Sequence, residues 1–154
     1  MASAAPANRR VSEMRRKSDA QVYLEQVEKL DAVIHNKLIE QNQWREIALG
    51  ITANMDGERV QSSGAKSKMA DAINRCVDME SEIDKLIDKL VNTKMRVIQT
   101  IERLNTVEYS ICHMRYIQFM SLQEIADYYD RDYGWVTTTH GRALKNVQRI
   151  LDGQ

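Results

Sequence analysis

Thr137, Thr138 and Arg142 fall within two turns of one another in the stretch SLQEIADYYDRDYGWVTTTHGRAL, residues 121–144. Side chains of these types have a defined chemistry against a duplex. A threonine hydroxyl donates or accepts at base edges and its methyl touches that of thymine, while an arginine fork fits guanine. Lys145 and Arg149 continue the same segment, and no acid intervenes before Asp152, so the local charge is about +3. For these groups to project, Asp132 has to cap a helix at its start. Val136, Ala143, Leu144, Val147 and Ile150 then have to face inward.

Other chemistries find no matching set of residues. His35, His113 and His140 do not cluster with cysteine at any ligand spacing, and the neighbours Cys112 and His113 point to different helix faces, so no metal site is expected. No Ser/His/Asp arrangement and no pair of carboxylates in an apolar pocket stands out. No catalytic residue and no cofactor is therefore assigned, and the chain does not read as an enzyme. The segment ERVQSSGAKSKMADAI is rich in loop residues, but without GKS or GKT and without a preceding strand it is no phosphate-cradling loop.

The elements that must hold such a reader are marked out by glycine. Gly50, Gly57 and Gly64 crowd into fifteen residues, and neither glycine nor proline returns before Gly134, a gap that suits long helices. From Met69 an apolar seam runs at steps of three and four through Ile73, Cys76, Ile83, Ile87, Leu90, Val97, Ile101 and Leu104. Glu80 and Lys94 interrupt it, while Met79 and Leu86 widen one side, a shape for packing against more than one helix. An earlier segment, about 19–49, repeats the theme with Tyr23, Val27, Leu30, Ile34, Leu38, Trp44, Ile47 and Ala48. Neither helix buries its stripe alone. The pair is expected to fold back as a long, coiled-coil-like antiparallel hairpin over 19–104, with a loop at about 50–66 and Ser63 or Ser67 capping the second helix.

Beyond Leu104, Asn105 and Glu108 have capping-box spacing, and the helix they open should run through VEYSICHMRYIQF with Val107, Ile111, Met114, Tyr116 and Ile117 inward. Ser121 with Glu124 is a second capping box. It opens a short helix that buries Leu122, Ile125 and Ala126 and stops near Asp130, a short break before the helix capped by Asp132. The sequence thus predicts an all-α chain: the hairpin followed, over 105–154, by a three-helix unit of helix-turn-helix type whose last helix would enter a major groove. Across 105–154 five basic residues stand against six acidic ones, a net of about −1, so this unit alone should hold DNA weakly.

Composition sets the outer limits. A chain of 154 residues with 43% hydrophobic content makes one domain, or a small domain with an extended element. Apolar runs reach only three or four residues, against the roughly 20 of a membrane span, so a soluble chain without a membrane partner is expected. Residues 1–18 hold Arg9, Arg10, Arg15, Arg16 and Lys17 against Glu13, about +4, with no apolar h-region. That composition reads as a disordered basic arm, either a solubilising tail or a phosphate-contacting one, in a cytoplasmic protein. Cys76 and Cys112 are expected as reduced thiols. Trp44, Tyr116, Tyr128 and Tyr129 read as core groups, with a stacking role left open for Trp135.

The string EIADYYDRDYGWVTTTHGRAL resembles the C-terminal helix-turn-helix, region four, of sigma-70-type factors. The shared features are Glu124-Ile125-Ala126, the cap at Asp132, Val136, and the late Arg142-Ala143-Leu144, without gaps. Asp130 in place of a turn glycine, the bulky Trp135, and Thr139 with His140 where an apolar residue is usual are departures. With YLEQVEKLD and RVQSSGAKSKMADAI added, nearly the whole chain is similar to a family of small phage and prophage proteins described as sigma-70-like, or ArpU-type, late-transcription regulators. The resemblance implies that the exposed turns of the last helix face DNA through Tyr133, Gly134, Thr137, Thr138, Gly141, Arg142 and Lys145. Gly141 costs a helix about 1 kcal/mol relative to alanine, which points to close approach to DNA or to a partner helix.

The expected function is therefore that of a phage-type DNA-binding regulator of transcription, acting at promoters with or through RNA polymerase. Its partners would be double-stranded DNA, RNA polymerase and further copies of itself joined through the hairpin. Two rival readings stay open at this stage. One is a DNA-packaging protein resembling a small terminase subunit. The other is a module that binds polymerase without reading DNA, which the near-neutral charge favours.

Overall fold

The structure is a computed structural model and describes residues 16–55 and 63–153. The fold is all-α. Among the described residues it has α1 (Asp19–Met55), α2 (Ser63–Ile101), α3 (Thr106–Tyr116), α4 (Leu122–Tyr129) and α5 (Tyr133–Asp152). Bonds between the long helices fix their relative direction. Tyr23 Oη lies 3.0 Å from Thr100 Oγ1, Lys37 Nζ 2.6 Å from Glu82 Oε2, and Gln41 Nε2 donates to the Cys76 carbonyl at 3.2 Å. As numbers rise along α1 they fall along α2, so the two run antiparallel.

Their seam is a heptad pattern, displaced by one residue along one row from the expected one. On α1 the buried positions Ala20, Val27, Ile34, Gln41 and Ala48 are seven apart. On α2 one row is Ala72, Met79, the half-buried Leu86, Thr93 and Thr100, and the other is Cys76, Ile83, Leu90 and Val97. The second row was legible. For the first, the apolar pattern points to Ile73 and Ile87, yet these are 43% and 41% exposed. Threonines take the inner positions because a helix satisfies their hydroxyls locally, as Thr100 does by donating to the Arg96 carbonyl at 2.9 Å. Glu80 and Lys94 consequently lie on a flank and interrupt nothing. On α1, Leu38 and Ile47 are likewise exposed, while Leu24 is fully buried.

Helical backbone continues into the segment expected as a loop, to Met55 on one side and from Ser63 on the other, which puts Ser67 inside α2. The rest of that loop, 56–62, and residues 1–15 of the basic arm lie outside the described residues. Of the arm, Lys17 is seen paired with Glu25 at 2.6 Å, and Ser18 Oγ accepts from the Gln21 amide at 3.2 Å, capping α1.

The three short helices sit at the open end of the hairpin. One cluster of buried side chains draws on every element except α4: Ala20, Leu24 and Val27 from α1, Val97 and Ile101 from α2, Cys112 and Tyr116 from α3, Ala143 and Val147 from α5. A second cluster, Ile111, Ile125, Ala126 and Val136, closes α3, α4 and α5 on one another. Small Ala126 is fully buried there. Val107, expected inward, is 44% exposed, since Glu108 takes the inward position instead. Both cysteines are free thiols, and burial, with the nearby charge of Glu108 second, pushes that of Cys112 up to about 12. Among the described residues no helix is long and apolar enough to cross a membrane.

Candidate nucleic-acid interface

Asp132 begins α5 as expected. Its backbone is extended, and its Oδ1 accepts from the Trp135 amide at 2.7 Å. Val136, Thr139, Ala143 and Val147 then turn inward at steps of three and four. The two departures from an apolar pattern both have partners. Thr139 is buried and donates its hydroxyl to the Trp135 carbonyl at 2.8 Å. His140 Nε2 meets the Tyr116 hydroxyl at 2.7 Å, with the rings stacked 5.7 Å apart, so it joins α5 to α3. Burial, and then the charge of Arg115, holds His140 below its usual range.

The inward stripe decides what faces out. Gly134, Thr138, Arg142, Lys145 and Arg149 are exposed on the opposite side, with Gly141 partly so. Tyr133 is exposed on the flank of this face, and Thr137 is half-buried, its hydroxyl donating to the Gly134 carbonyl at 3.0 Å. Among the described residues Arg142 and Lys145 make no ion pair, and Arg149 only donates to Asn146 Oδ1 at 3.3 Å. A Cβ placed on Gly141 would meet nothing within 4 Å, so no internal contact requires glycine there. One placed on Gly134 would come 3.1 Å from Asp132 Oδ1, close to the cap itself.

No known family model, curated protein or solved structure matches this chain.

Three side chains that the sequence reading did not assign set the pose of α5. Asn146 Nδ2 donates to Glu108 Oε2 at 2.9 Å, and Gln148 Oε1 accepts from the Ala20 amide at 3.0 Å while its Nε2 donates to Asp152 Oδ1 at 2.9 Å. With His140 they bind the helix to α3 and to the first turn of α1. Position alone marked two of them in sequence, Asn146 as an amide between the inward Ala143 and Val147 and His140 as a break in the apolar pattern, but neither position named its partner.

The turn before α5 is tight. Asp130 has φ 50°, a left-handed C-cap whose amide donates to the carbonyls of Ala126 and Asp127, as a turn glycine would. The Arg131 guanidinium lies 5.4 Å from the Trp135 ring centroid, and Tyr129 meets the same ring edge-on at 5.7 Å. Trp135 is thus engaged within the protein, while Tyr128 stands exposed. The Ser121–Glu124 box is complete, Glu124 Oε2 accepting from the Ser121 amide at 2.7 Å, a bond that holds this carboxyl below its usual range. At Asn105 only half a box forms. Its side chain accepts from the Glu108 amide at 3.0 Å, but the Glu108 carboxyl turns to Asn146. Glu124, Asp127, Asp130 and Asp132 make the α4 side acidic, whereas the cations of α5, Arg142, Lys145 and Arg149, lie in its later turns.

Proposed function

We propose that this chain is a duplex-DNA-binding regulator of transcription that reads base edges through the outward face of α5. The observation that carries the reading is this face itself. Arg142, Lys145 and Arg149 stand on it without ion pairs among the described residues, beside Gly134, Thr138 and Gly141, none larger than threonine. A cationic helix face with small side chains in its early turns suits entry into a groove, where phosphate contacts position and base contacts specify. The sigma-like order of motifs around it supports action at promoters, with or through RNA polymerase. Self-association through the hairpin is supported by the exposed Ile73, Val77, Ile87 and Val91 on one flank of α2.

The test is selection from a random DNA library, followed by titrations of the full chain and of Arg142→Ala on the enriched site and on scrambled duplex. A base contact loses about 1 to 3 kcal/mol on the site and much less on random DNA. Equal losses would make Arg142 a phosphate anchor. The acidic α4 side favours a second reading, a module that binds polymerase without reading DNA, and a selection that enriches nothing would support it.

A further inference from the structure

The hairpin carries a second cationic surface. Lys85, Lys89, Asn92, Arg96, Gln99 and Arg103 follow one another at steps of four, three, four, three and four, the repeat of one helical face, and every one is exposed. Arg103 lies in the turn just past α2, yet it still lines one shallow depression with Arg96 and Gln99, and a neighbouring depression is lined by Lys89, Asn92 and Arg96. In sequence these cations alternate with acids and read as an ordinary solvated face. From Lys85 to Arg103 the row itself holds none, although the exposed Asp88 flanks it and Glu82 stands at its distal end.

The distal half of the same face shows the contrast. Glu82, seven residues before Lys89, is held by Lys37 at 2.6 Å and by Arg75 at 3.7 Å, and Arg75 also reaches Glu40 at 3.3 Å. There the charges of the two helices neutralise each other. Toward the open end they do not. Among the described residues Lys85, Lys89, Arg96 and Arg103 make no ion pair, and Arg96 has only a long bond of 3.5 Å to Thr93 Oγ1 on its own helix. Lys85 lies in the field of Glu82, whose charge Lys37 and Arg75 already meet.

We propose that this row is a second phosphate-contacting surface, which takes the backbone of duplex DNA while α5 takes the groove. It rests on the DNA reading of α5 and extends it. Lysine and arginine neutralise phosphates and asparagine and glutamine amides donate to phosphate oxygens, so all six side chains suit one polyanion. The row from Lys85 to Gln99 spans about 20 Å at the rise of a helix, enough to follow several phosphates. The one ring that lines its depression, Tyr23, is partly buried with its hydroxyl 3.0 Å from Thr100 Oγ1, so it offers single-stranded bases no open face to stack on, and duplex is the polyanion proposed. It also supplies what the unit over 105–154 lacks, since that unit is slightly acidic in sum.

The experiment measures affinity against salt for the full chain and for the variant carrying Lys85→Gln, Lys89→Gln, Arg96→Gln and Arg103→Gln, with equal unfolding midpoints checked first. If all four cations meet phosphates, the log-log slope falls by about 3 to 4 while the preference for the selected site over scrambled DNA is kept. A control with Lys66→Gln and Lys68→Gln, exposed cations at the far end of α2, leaves the slope unchanged. An unchanged slope in the row variant, or an equal loss per charge in the control, overturns the proposal. A triple variant Arg142→Ala, Lys145→Ala, Arg149→Ala separates the two readings. If it keeps the site preference while the row variant loses slope, the α5 reading fails and the row stands. Absence of duplex binding by the unaltered chain overturns both.

Discussion

Asn146 donates from Nδ2 to Oε2 of Glu108 across 2.9 Å, tying α5 to the first turn of α3 at a carboxyl only 2% exposed. The other oxygen, Oε1, has no hydrogen-bond partner in the protein. The pair therefore holds α5 in place at the expense of a buried polar group that is half satisfied. Asn146→Leu leaves both oxygens without a protein partner and is expected to destabilise the fold by about 1 to 3 kcal/mol. Adding Glu108→Met removes the stranded carboxyl and should recover most of that loss, because two apolar groups of similar shape can replace a buried pair almost neutrally. Urea unfolding of the single and double variants measures the recovery. Additive losses would mean that the bond is not what restrains the two side chains.

The turn between α4 and α5 offers a gain in stability. Asp130 adopts φ 50°, a left-handed conformation that aspartate tolerates and glycine enters freely. Asp130→Gly is expected to raise stability by up to about 1 kcal/mol, the C-cap amide bonds being retained. A lower unfolding midpoint would show that the carboxylate makes a contact that outweighs the strain.

How much of this was legible in sequence depended on the kind of signal. Caps were, because they are local chemistry at fixed spacing: Asp132, Ser121 with Glu124, and Asn105 all accept from the amide three residues on. The inward stripe of α5 was too, since Val136, Ala143 and Val147 are apolar at helical spacing. The seam of α2 was half legible. Its inner positions include Thr93 and Thr100, polar in composition yet buried, while Ile73 and Ile87 are apolar yet outward. A period of three and four cannot choose between adjacent rows when composition misleads in both. The cross-helix bonds of His140, Asn146 and Gln148 were not legible at all, since partners as distant in sequence as Ala20 and Gln148 carry no spacing rule.

His140 gives the fold a pH dependence of definite sign. Burial first, then Arg115, lowers its pKa from the usual 6.5, Glu25 acting in the opposite direction, and Tyr116 occupies its Nε2. Below about 6.5 the unfolded chain binds a proton that the folded chain resists, so the unfolded state holds more protons and stability falls as pH drops through that window. The carboxyls of Glu82, hydrogen-bonded by Lys37, and Glu124, held by Ser121, lie below 4.5 and lose their contribution only at lower pH. Urea midpoints at about pH 7.5 and 5.5 should therefore differ for the unaltered chain, and His140→Gln, which keeps a partner for the Tyr116 hydroxyl, should flatten the difference. A slope that survives the substitution assigns the effect elsewhere.

Gly141 separates the needs of folding from those of binding. It sits inside α5 on the outward side, and a Cβ there meets nothing within 4 Å, so Gly141→Ala is sterically free in the unbound protein. Alanine improves helix propensity by about 1 kcal/mol, and the variant should unfold at a correspondingly higher denaturant concentration. If the α5 face lies against DNA at this point, the added methyl enters the contact and binding weakens on every duplex, in proportion to how closely the backbone approaches. Opposite signs in the two measurements, stability up and affinity down, are the expected outcome. Thr138→Ala serves as a reference on the same face, because it removes atoms and introduces no clash. A Gly141→Ala protein that is more stable and binds DNA as tightly as before would place this part of the helix away from the duplex and leave Arg142, Lys145 and Arg149, in the later turns, as the contacts.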